Sequence, residues 1–212
     1  MPRQIKNDYA NANLPLGWSW RRLSDLCVED RHLVEPGSEL ARQLPYLSLE
    51  DIESNTGRIR RLDDLAATQG QSTTFAFDSK HLLYGKLRPY LNKVALPDFA
   101  GRCTTELIPF LPRANISRRY LGWLFRRPET VAFAMKGKTG SRMPRANIKE
   151  LLTLPVAIPD SLEAQERLAA QIDADMMQLE IAKAAIKEQM EIIKELGDRI
   201  LTDFPLNTKF SR

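Results

Sequence analysis

The sequence is poor in the side chains that most enzymes and metal sites require. Histidine occurs twice, at His32 and His81, and cysteine twice, at Cys27 and Cys103, in no spacing typical of a zinc site. The glycine-rich phosphate loop of nucleotide-binding proteins is missing, and so is the Asn-Pro-Pro-Tyr signature of adenine methyltransferases. We expect both histidines to be surface or structurally satisfied residues. The sequence therefore predicts no catalytic residue and no metal site.

Long apolar segments are also missing. No apolar run approaches the roughly 20 residues that a membrane-spanning helix needs. Residues 1–8 are polar and lack the apolar core of a signal peptide. The two cysteines could form a disulfide, but a cysteine count this small favours free thiols in a reducing compartment. We therefore predict a cytoplasmic protein without a membrane partner.

Charge is abundant but segregated along the chain. Residues 80–149 contain fifteen Lys or Arg and only three acidic residues, a net charge of +12, whereas the whole chain carries +4. Residues 1–79 carry −3 and residues 163–200 carry −4. An ordinary domain with a pI near 9.1 could carry a basic surface without a function. A block this uneven instead favours a polyanion as its partner, because cationic side chains bind phosphates and release counterions.

Residues 14–159 alternate short apolar runs with turn residues, which predicts a mixed α/β domain in an α+β chain. Strands are predicted at 43–49, 73–77, 81–87, 94–97 and 105–110, with Gly85 marking a bulge or a close backbone approach. A helix is predicted from Tyr120 towards Phe133, interrupted near Pro128. Asn147 is expected to cap a short helix, and residues 153–159 are expected to be extended.

From Ser161, which is expected to be the N-cap, the pattern predicts one long helix. Neither proline nor glycine occurs from 161 to 196, and apolar residues recur every seven positions at Ile172, Leu179, Ile186, Ile193 and Ile200. About 38 residues would span about 57 Å, too long to pack on this domain along its whole length. The neighbouring column, Asp175, Ala182, Gln189 and Leu196, is only half apolar. We therefore predict an antiparallel coiled coil between two helices, with packing on its own domain as the alternative.

Five segments resemble, in their order, the DNA-specificity subunits of type I restriction-modification systems. They are residues 14–23 (LPLGWSWRRL), 84–94 (YGKLRPYLNKV), 103–107 (CTTEL), 140–148 (GSRMPRANI) and 154–168 (LPVAIPDSLEAQERL). With the long helix they cover nearly all of residues 14–200. A usual specificity subunit contains two recognition domains and two such helices, whereas this chain has one of each. It therefore resembles half a subunit, either a natural half or a fragment of a longer chain.

The resemblance implies a division into three parts and a set of partners. Residues 1–160 would be the target-recognition domain, residues 161–203 the coiled-coil dimerisation helix and residues 204–212 a polar tail. The chain itself would be non-catalytic and would bind double-stranded DNA. It would pair with a second copy and direct an adenine methyltransferase subunit, and through it a restriction subunit, to a bipartite site. S-adenosylmethionine would then bind the methyltransferase, and no cofactor would bind this chain.

The charge pattern and the resemblance together nominate two clusters of DNA-contacting residues. Their members are polar or cationic and lie beside Gly or Pro: Lys86, Arg88, Asn92 and Lys93 in the first, and Lys136, Lys138, Ser141, Arg142 and Arg145 in the second. Arg commonly binds guanine and Asn adenine in a DNA groove. A solvated surface charge is an equally good interpretation of any one of them, whereas the clusters together favour DNA. Tyr90, Trp123 and Phe125 are predicted to be core residues.

Two other functions remain open at this point. A self-contained homodimeric DNA-binding regulator or anti-phage factor would show the same charge and helix patterns without a methyltransferase partner. An enzyme with an unrecognised site is a third possibility, which no residue pattern favours. A neighbouring gene for an Asn-Pro-Pro-Tyr protein would discriminate the first two.

Overall fold

A computed structural model of the chain describes residues 14–59, 72–140 and 142–203, and the chain divides into two compact units. The first unit is Met1–Ala169 and the second is Ala170–Arg212. The predicted limits at 160, 203 and 212 stay predictions, and the tail at 204–212 lies outside the described residues.

The first unit alternates short strands with short helices. The strands are β1 (Trp18–Arg22), β2 (Cys27–Glu29), β3 (Leu33–Val34), β4 (Tyr46–Leu47), β5 (Thr74–Phe77), β6 (Leu82–Gly85), β7 (Val94–Ala95), β8 (Gly101–Thr104), β9 (Leu107–Pro112) and β10 (Pro155–Pro159). The helices are α1 (Leu23–Leu26), α2 (Glu39–Gln43), α3 (Arg118–Arg126), α4 (Pro128–Lys136) and α5 (Ile148–Leu151), with a 3₁₀ turn at Pro89–Leu91. Helix α6 (Leu162–Asp203) follows β10.

The strands form three small sheets in which most neighbours are distant in sequence. One sheet has the order β2-β9-β6-β7 and is antiparallel throughout. A second has the order β3-β5-β8-β4, with only the β4–β8 pair parallel. In the third sheet, β1 pairs with β10, so the first and the last of the described strands lie side by side. The predicted α+β class is confirmed.

Aromatic side chains fix α3 against the first of these sheets. Ser117 caps α3 by accepting a hydrogen bond from the Tyr120 backbone N–H at 3.1 Å. The Phe125 ring on α3 then lies 5.2 Å from Phe110 of β9 and 5.3 Å from Tyr84 of β6. All three side chains are buried, and pairs at this spacing add to the stabilisation that burial provides. This packing positions β6 and β9, and β6 leads into the 3₁₀ turn at Pro89–Leu91.

Most of the local sequence predictions hold, because they rest on capping and turn chemistry. Gly85 lies close to the backbone of Lys93, the residue before β7, because a Cβ added to Gly85 would come within 3.1 Å of the Lys93 carbonyl oxygen. The helix break falls at Pro128, and the Asn147 side chain accepts a hydrogen bond from the Glu150 N–H at 3.3 Å. Ser161 Oγ likewise accepts from the Ala164 N–H at 3.1 Å.

The strand predicted at 43–49 is largely wrong. Residues 39–43 form α2, because Ser38 accepts a hydrogen bond from the Ala41 N–H and starts a helical turn. Pro45 cannot donate to a sheet. Only Tyr46–Leu47 remains extended, and it pairs in parallel with β8.

The first turns of α6 belong to the first unit and are anchored there by Gln165. This buried side chain accepts from the Ser117 N–H at 2.9 Å and donates to the Pro159 carbonyl at 2.9 Å. At 42 residues, α6 is about 63 Å long, slightly longer than predicted. None of the described helices combines the length and the apolar character that crossing a bilayer requires.

In the second unit, α6 exposes much of the predicted heptad column. Leu179, Ile186, Ile193 and Ile200 are 45%, 57%, 67% and 64% exposed, and Ile172 is half-buried. Met177, Ile181 and Ile192, which lie on a different side of the helix, are also exposed. Burial of such side chains contributes roughly 1.5–3 kcal/mol each. The helix thus has apolar surface for a partner, and its pairing as a coiled coil stays a prediction.

Candidate nucleic-acid interface

The fifteen cations of residues 80–149 fall into two groups by their contacts. Nine hold the domain together through hydrogen bonds, ion pairs or ring contacts: Lys86, Lys93, Arg102, Arg113, Arg118, Arg119, Arg126, Arg127 and Arg145. Within the described parts of the chain, the side chains of the other six form no hydrogen bond or ion pair. They are Lys80, Arg88, Lys136, Lys138, Arg142 and Lys149. The segregated charge is therefore only partly available to a ligand.

Arg118 and Arg126 show how the first group stabilises the fold. Arg118 donates to the carbonyl oxygens of His81 at 2.9 Å and Pro97 at 2.6 Å, and burial lowers its pKa against the opposing effect of nearby acids. Arg126 donates to the Val94 carbonyl at 2.7 Å and lies over the Trp123 ring. These guanidinium groups satisfy backbone carbonyls where strands end.

Four of the six available cations lie on two segments that backbone hydrogen bonds join. The Arg88 N–H donates to the Pro144 carbonyl at 2.7 Å, and the Ala146 N–H donates to the Lys86 carbonyl at 2.8 Å. Thr139 and Arg145 also exchange two backbone hydrogen bonds of 2.9 Å, which closes the loop between them. We call residues 86–92 and 136–145 the basic surface. Its available cations are Arg88, Lys136, Lys138 and Arg142.

The first segment of the basic surface is a strained and well-anchored turn. Arg88 and Asn92 bracket the 3₁₀ turn with left-handed backbones, at φ values of 51° and 50°. Such a backbone costs a non-glycine residue roughly 1–2 kcal/mol. The Asn92 Nδ2 group donates to the Arg126 carbonyl at 3.0 Å, and the Asn92 carbonyl accepts from the Asn55 N–H at 3.1 Å. The turn is therefore held in one conformation by groups on both sides of it.

Glu106 links the two segments electrostatically. Arg145 binds this carboxylate through two nitrogens, with distances of 2.8 and 3.0 Å to Oε1, and the pairing raises the pKa of Arg145. Lys86 Nζ approaches the same carboxylate at 3.9 Å, and its backbone N–H donates to the Glu106 carbonyl. A single acid thus fixes two cations and leaves a net positive charge at the base of the basic surface.

The nine predicted DNA-contacting residues consequently occupy different environments. Arg88, Lys136, Lys138 and Arg142 are exposed cations of the basic surface, and Lys86 and Arg145 are paired with Glu106. The Asn92 amide and the Lys93 ammonium point inward, with Lys93 Nζ 2.6 Å from the Leu49 carbonyl. Ser141 lies outside the described residues. DNA contact stays a prediction for all nine.

The prediction that Tyr90, Trp123 and Phe125 are core residues is wrong for Tyr90. Phe125 is fully buried and Trp123 is half-buried against the core, but Tyr90 is 51% exposed. The neighbouring Pro89 takes the buried position instead. The sequence carries no clear signal for this exchange, because composition does not say which residue of a short turn is buried.

His81 and the two cysteines are buried in the domain. His81 is buried, with its Nε2 3.1 Å from Asp30 and its Nδ1 2.8 Å from Asp78. Burial raises the pKa of the Cys27 thiol to about 12 and also raises that of Cys103, and both are free thiols. Over the described ranges, no three His, Cys, Asp or Glu side chains cluster as metal ligands would.

Comparison with known proteins finds similarity to the specificity subunits of type I restriction enzymes. No family model matches the chain. It is 27% identical over 160 residues to the type I restriction enzyme EcoDI specificity subunit of Escherichia coli, a match that covers 73% of this chain and 34% of that protein.

Solved structures give the same relationship at the level of the fold. The HsdS subunit of Thermoanaerobacter tengcongensis superposes with a TM-score of 0.67 at 21% identity, covering 88% of this chain and 49% of that one. A chain from a structural study of complex assembly and conformational transition of the type I R-M system superposes with a TM-score of 0.77 at 21% identity, covering 95% and 53%.

The resemblance found in the five motifs is thus confirmed. The chain has the fold of type I specificity subunits, with one α+β domain and one long C-terminal helix. It spans about half the length of those solved chains and about a third of the E. coli relative.

Proposed function

We propose that the chain is a sequence-specific DNA-recognition subunit of a type I restriction-modification complex. It has no catalytic role of its own. It directs an adenine methyltransferase subunit, and through it a restriction subunit, to a bipartite DNA site in the cytoplasm. Such a complex protects the cell against phage DNA by cleaving what it has not methylated.

The observation that carries this proposal is the match of one recognition domain and one long helix to specificity subunits in both sequence and fold. The contacts of the fifteen cations in residues 80–149 add a physical argument. Six of these cations have no hydrogen bond or ion pair in the described chain, and four of the six lie on the two segments of the basic surface. A concentration of exposed cations on rigid backbone is what phosphate binding requires.

The residues of the basic surface take different roles in this proposal. Arg88 extends from a well-anchored turn and recognises a base edge, since a guanidinium can bind guanine through two hydrogen bonds. Lys136, Lys138 and Arg142 bind phosphates, and Ser141 contributes a hydroxyl group. Lys86 and Arg145 position the two segments through Glu106. Asn92 and Lys93 hold the turn from within.

Dimerisation uses the exposed heptad column of α6. The column Ile172, Leu179, Ile186, Ile193 and Ile200 packs against the neighbouring column of a second copy, Asp175, Ala182, Gln189 and Leu196, in an antiparallel coiled coil. Small residues such as Ala182 leave space for Ile on the facing helix. An isologous pair has two-fold symmetry, so the two recognition domains contact two identical, inverted half-sites.

A second apolar surface of α6 is available to the methyltransferase partner. Met177 and Ile181 lie away from the heptad column and stay exposed when that column is covered. S-adenosylmethionine binds the methyltransferase in this proposal, and no cofactor binds the present chain.

Co-purification followed by a methyl-transfer assay tests the proposal. A tagged full-length chain expressed with the methyltransferase of the same genomic locus should retain that protein at a fixed ratio. The mixture should transfer methyl groups to DNA, whereas either protein alone should not. Transfer by the methyltransferase alone at the same sites, or saturable binding of S-adenosylmethionine to this chain in calorimetry, would contradict it.

A further inference from the structure

Tyr90 is the one aromatic side chain that the described residues 14–59, 72–140 and 142–203 leave exposed. By contrast, the largest fully buried side chains of the same domain include the aromatic residues Phe110 and Phe125. An aromatic ring in water loses the stabilisation that burial provides. Its exposure beside the available cations of the basic surface makes the ring accessible to a ligand that binds there.

The backbone around Tyr90 cannot easily turn the ring inward. Tyr90 is the middle residue of the 3₁₀ turn, between the left-handed Arg88 and Asn92. Arg88 is fixed through its N–H to the Pro144 carbonyl, and Asn92 is fixed through its side chain to the Arg126 carbonyl. Buried Pro89 separates Arg88 from Tyr90. The turn consequently presents one guanidinium and one aromatic ring, two residues apart, on a fixed backbone.

We propose that Tyr90 is a specificity-determining residue that contacts a base beside the one recognised by Arg88. This inference rests on the proposed function as a DNA-recognition subunit. The ring supplies the contact, by covering an apolar base surface such as a thymine methyl group or an unstacked base face. The hydroxyl group is secondary, because no residue of the described ranges forms a hydrogen bond with it that would orient it.

Backbone rigidity is what makes this pair selective. The fixed backbone of the turn sets the spacing between the points from which the ring and the guanidinium extend, so the pair best matches base steps that offer both surfaces at that spacing. Loss of the ring should therefore reduce discrimination between sequences and leave general DNA affinity nearly unchanged. This outcome differs from that of removing a phosphate contact, which weakens binding to every sequence.

Selection of bound duplexes from a random DNA library tests the inference. The full-length chain is compared with Tyr90→Ala, Tyr90→Phe and Leu33→Ala, the last being an exposed apolar residue on β3 outside the basic surface. We expect Tyr90→Ala to lower the enrichment of the preferred sequence at least ~10-fold. Tyr90→Phe and Leu33→Ala should stay within about 2-fold of the unmodified chain. Thermal unfolding of all four proteins shows whether Tyr90→Ala is folded.

The possible outcomes separate the inference from the function on which it rests. If the unmodified chain enriches a sequence and folded Tyr90→Ala enriches it equally, the role of Tyr90 is wrong and the DNA-recognition function stands. If Tyr90→Phe loses as much as Tyr90→Ala, the hydroxyl and not the ring is the contact, and the inference is overturned. If the unmodified chain enriches nothing, both are wrong.

Discussion

The first unit and the helix of the second unit differ in how many of their side chains have contacts within the same unit. In the first unit, Phe110, Phe125 and Tyr84 pack together, and most of the block's cations bind carbonyls, carboxylates or rings. The part of α6 in the second unit leaves Ile186, Ile193 and other apolar side chains in water. The first unit exposes cations and the second exposes apolar side chains, and these two kinds of surface suit different partners.

Solvent-exposed cations and solvent-exposed apolar surface bind different kinds of ligand. A cation that forms no ion pair gains from a phosphate, and the gain depends on salt. An apolar stripe on a helix gains from another helix, and that gain depends little on salt. Substitutions in the two units should therefore have separable effects, one set on DNA and the other on assembly.

The largest effect is expected for Ile186→Asp combined with Ile193→Asp. In a two-fold dimer these substitutions place four carboxylates at the interface, and burying unpaired charges is costly. The dimer dissociation constant should rise at least ~1,000-fold, which multi-angle light scattering will detect as monomers at micromolar concentration. Glu180→Lys with Glu191→Lys is the control, because these residues lie away from the heptad column. A monomeric unmodified chain, alone and with the methyltransferase, would refute the coiled-coil proposal.

Arg118→Ala should have the largest effect on the stability of the first unit. The His81 and Pro97 carbonyls would each lose a charged donor, at a cost of about 1–3 kcal/mol. Urea denaturation measures the loss. Arg88→Ala is the matched control, because it removes an arginine that makes no such contact, and it should change stability by less than ~0.5 kcal/mol. Equal losses of stability in the two variants would contradict the division of the cations into those that stabilise the fold and those that are available to a ligand.

Arg88→Ala should instead affect DNA specificity. Loss of a two-hydrogen-bond contact to a base should cost about 1–3 kcal/mol at the preferred site and relax the preference for one base pair. Competition binding between the preferred duplex and single-base variants measures the change. Uniform weakening on all sequences would assign Arg88 to a phosphate.

Lys138→Ala should have the smallest effect, and one that is equal for all sequences. Removing one phosphate contact should lower the slope of log affinity against log salt by about one. Lys80→Ala removes another available cation, outside the basic surface, and should leave the slope unchanged. If both variants change the slope equally, binding follows total charge and the basic surface is not the interface.

The features that sequence predicted well depend on near neighbours along the chain. The caps at Asn147 and Ser161, the break at Pro128 and the heptad column are all set by residues within about one or two helical turns. The division of the cations was not predictable, because their partners are remote: Arg145 and Glu106 are 39 residues apart, and Arg118 and His81 are 37 apart. Tyr90 was assigned to the core for the same reason, since composition alone does not tell that Pro89 takes the buried position.

Methylome sequencing tests the central claim most directly. Cells that carry this gene and the accompanying methyltransferase gene are compared with cells in which this gene is deleted. The account predicts adenine methylation at a palindromic, bipartite motif with an unspecified spacer, and its complete loss on deletion. A continuous or asymmetric motif would contradict a homodimer of recognition domains, and the absence of any motif that depends on this gene would contradict the DNA-recognition function.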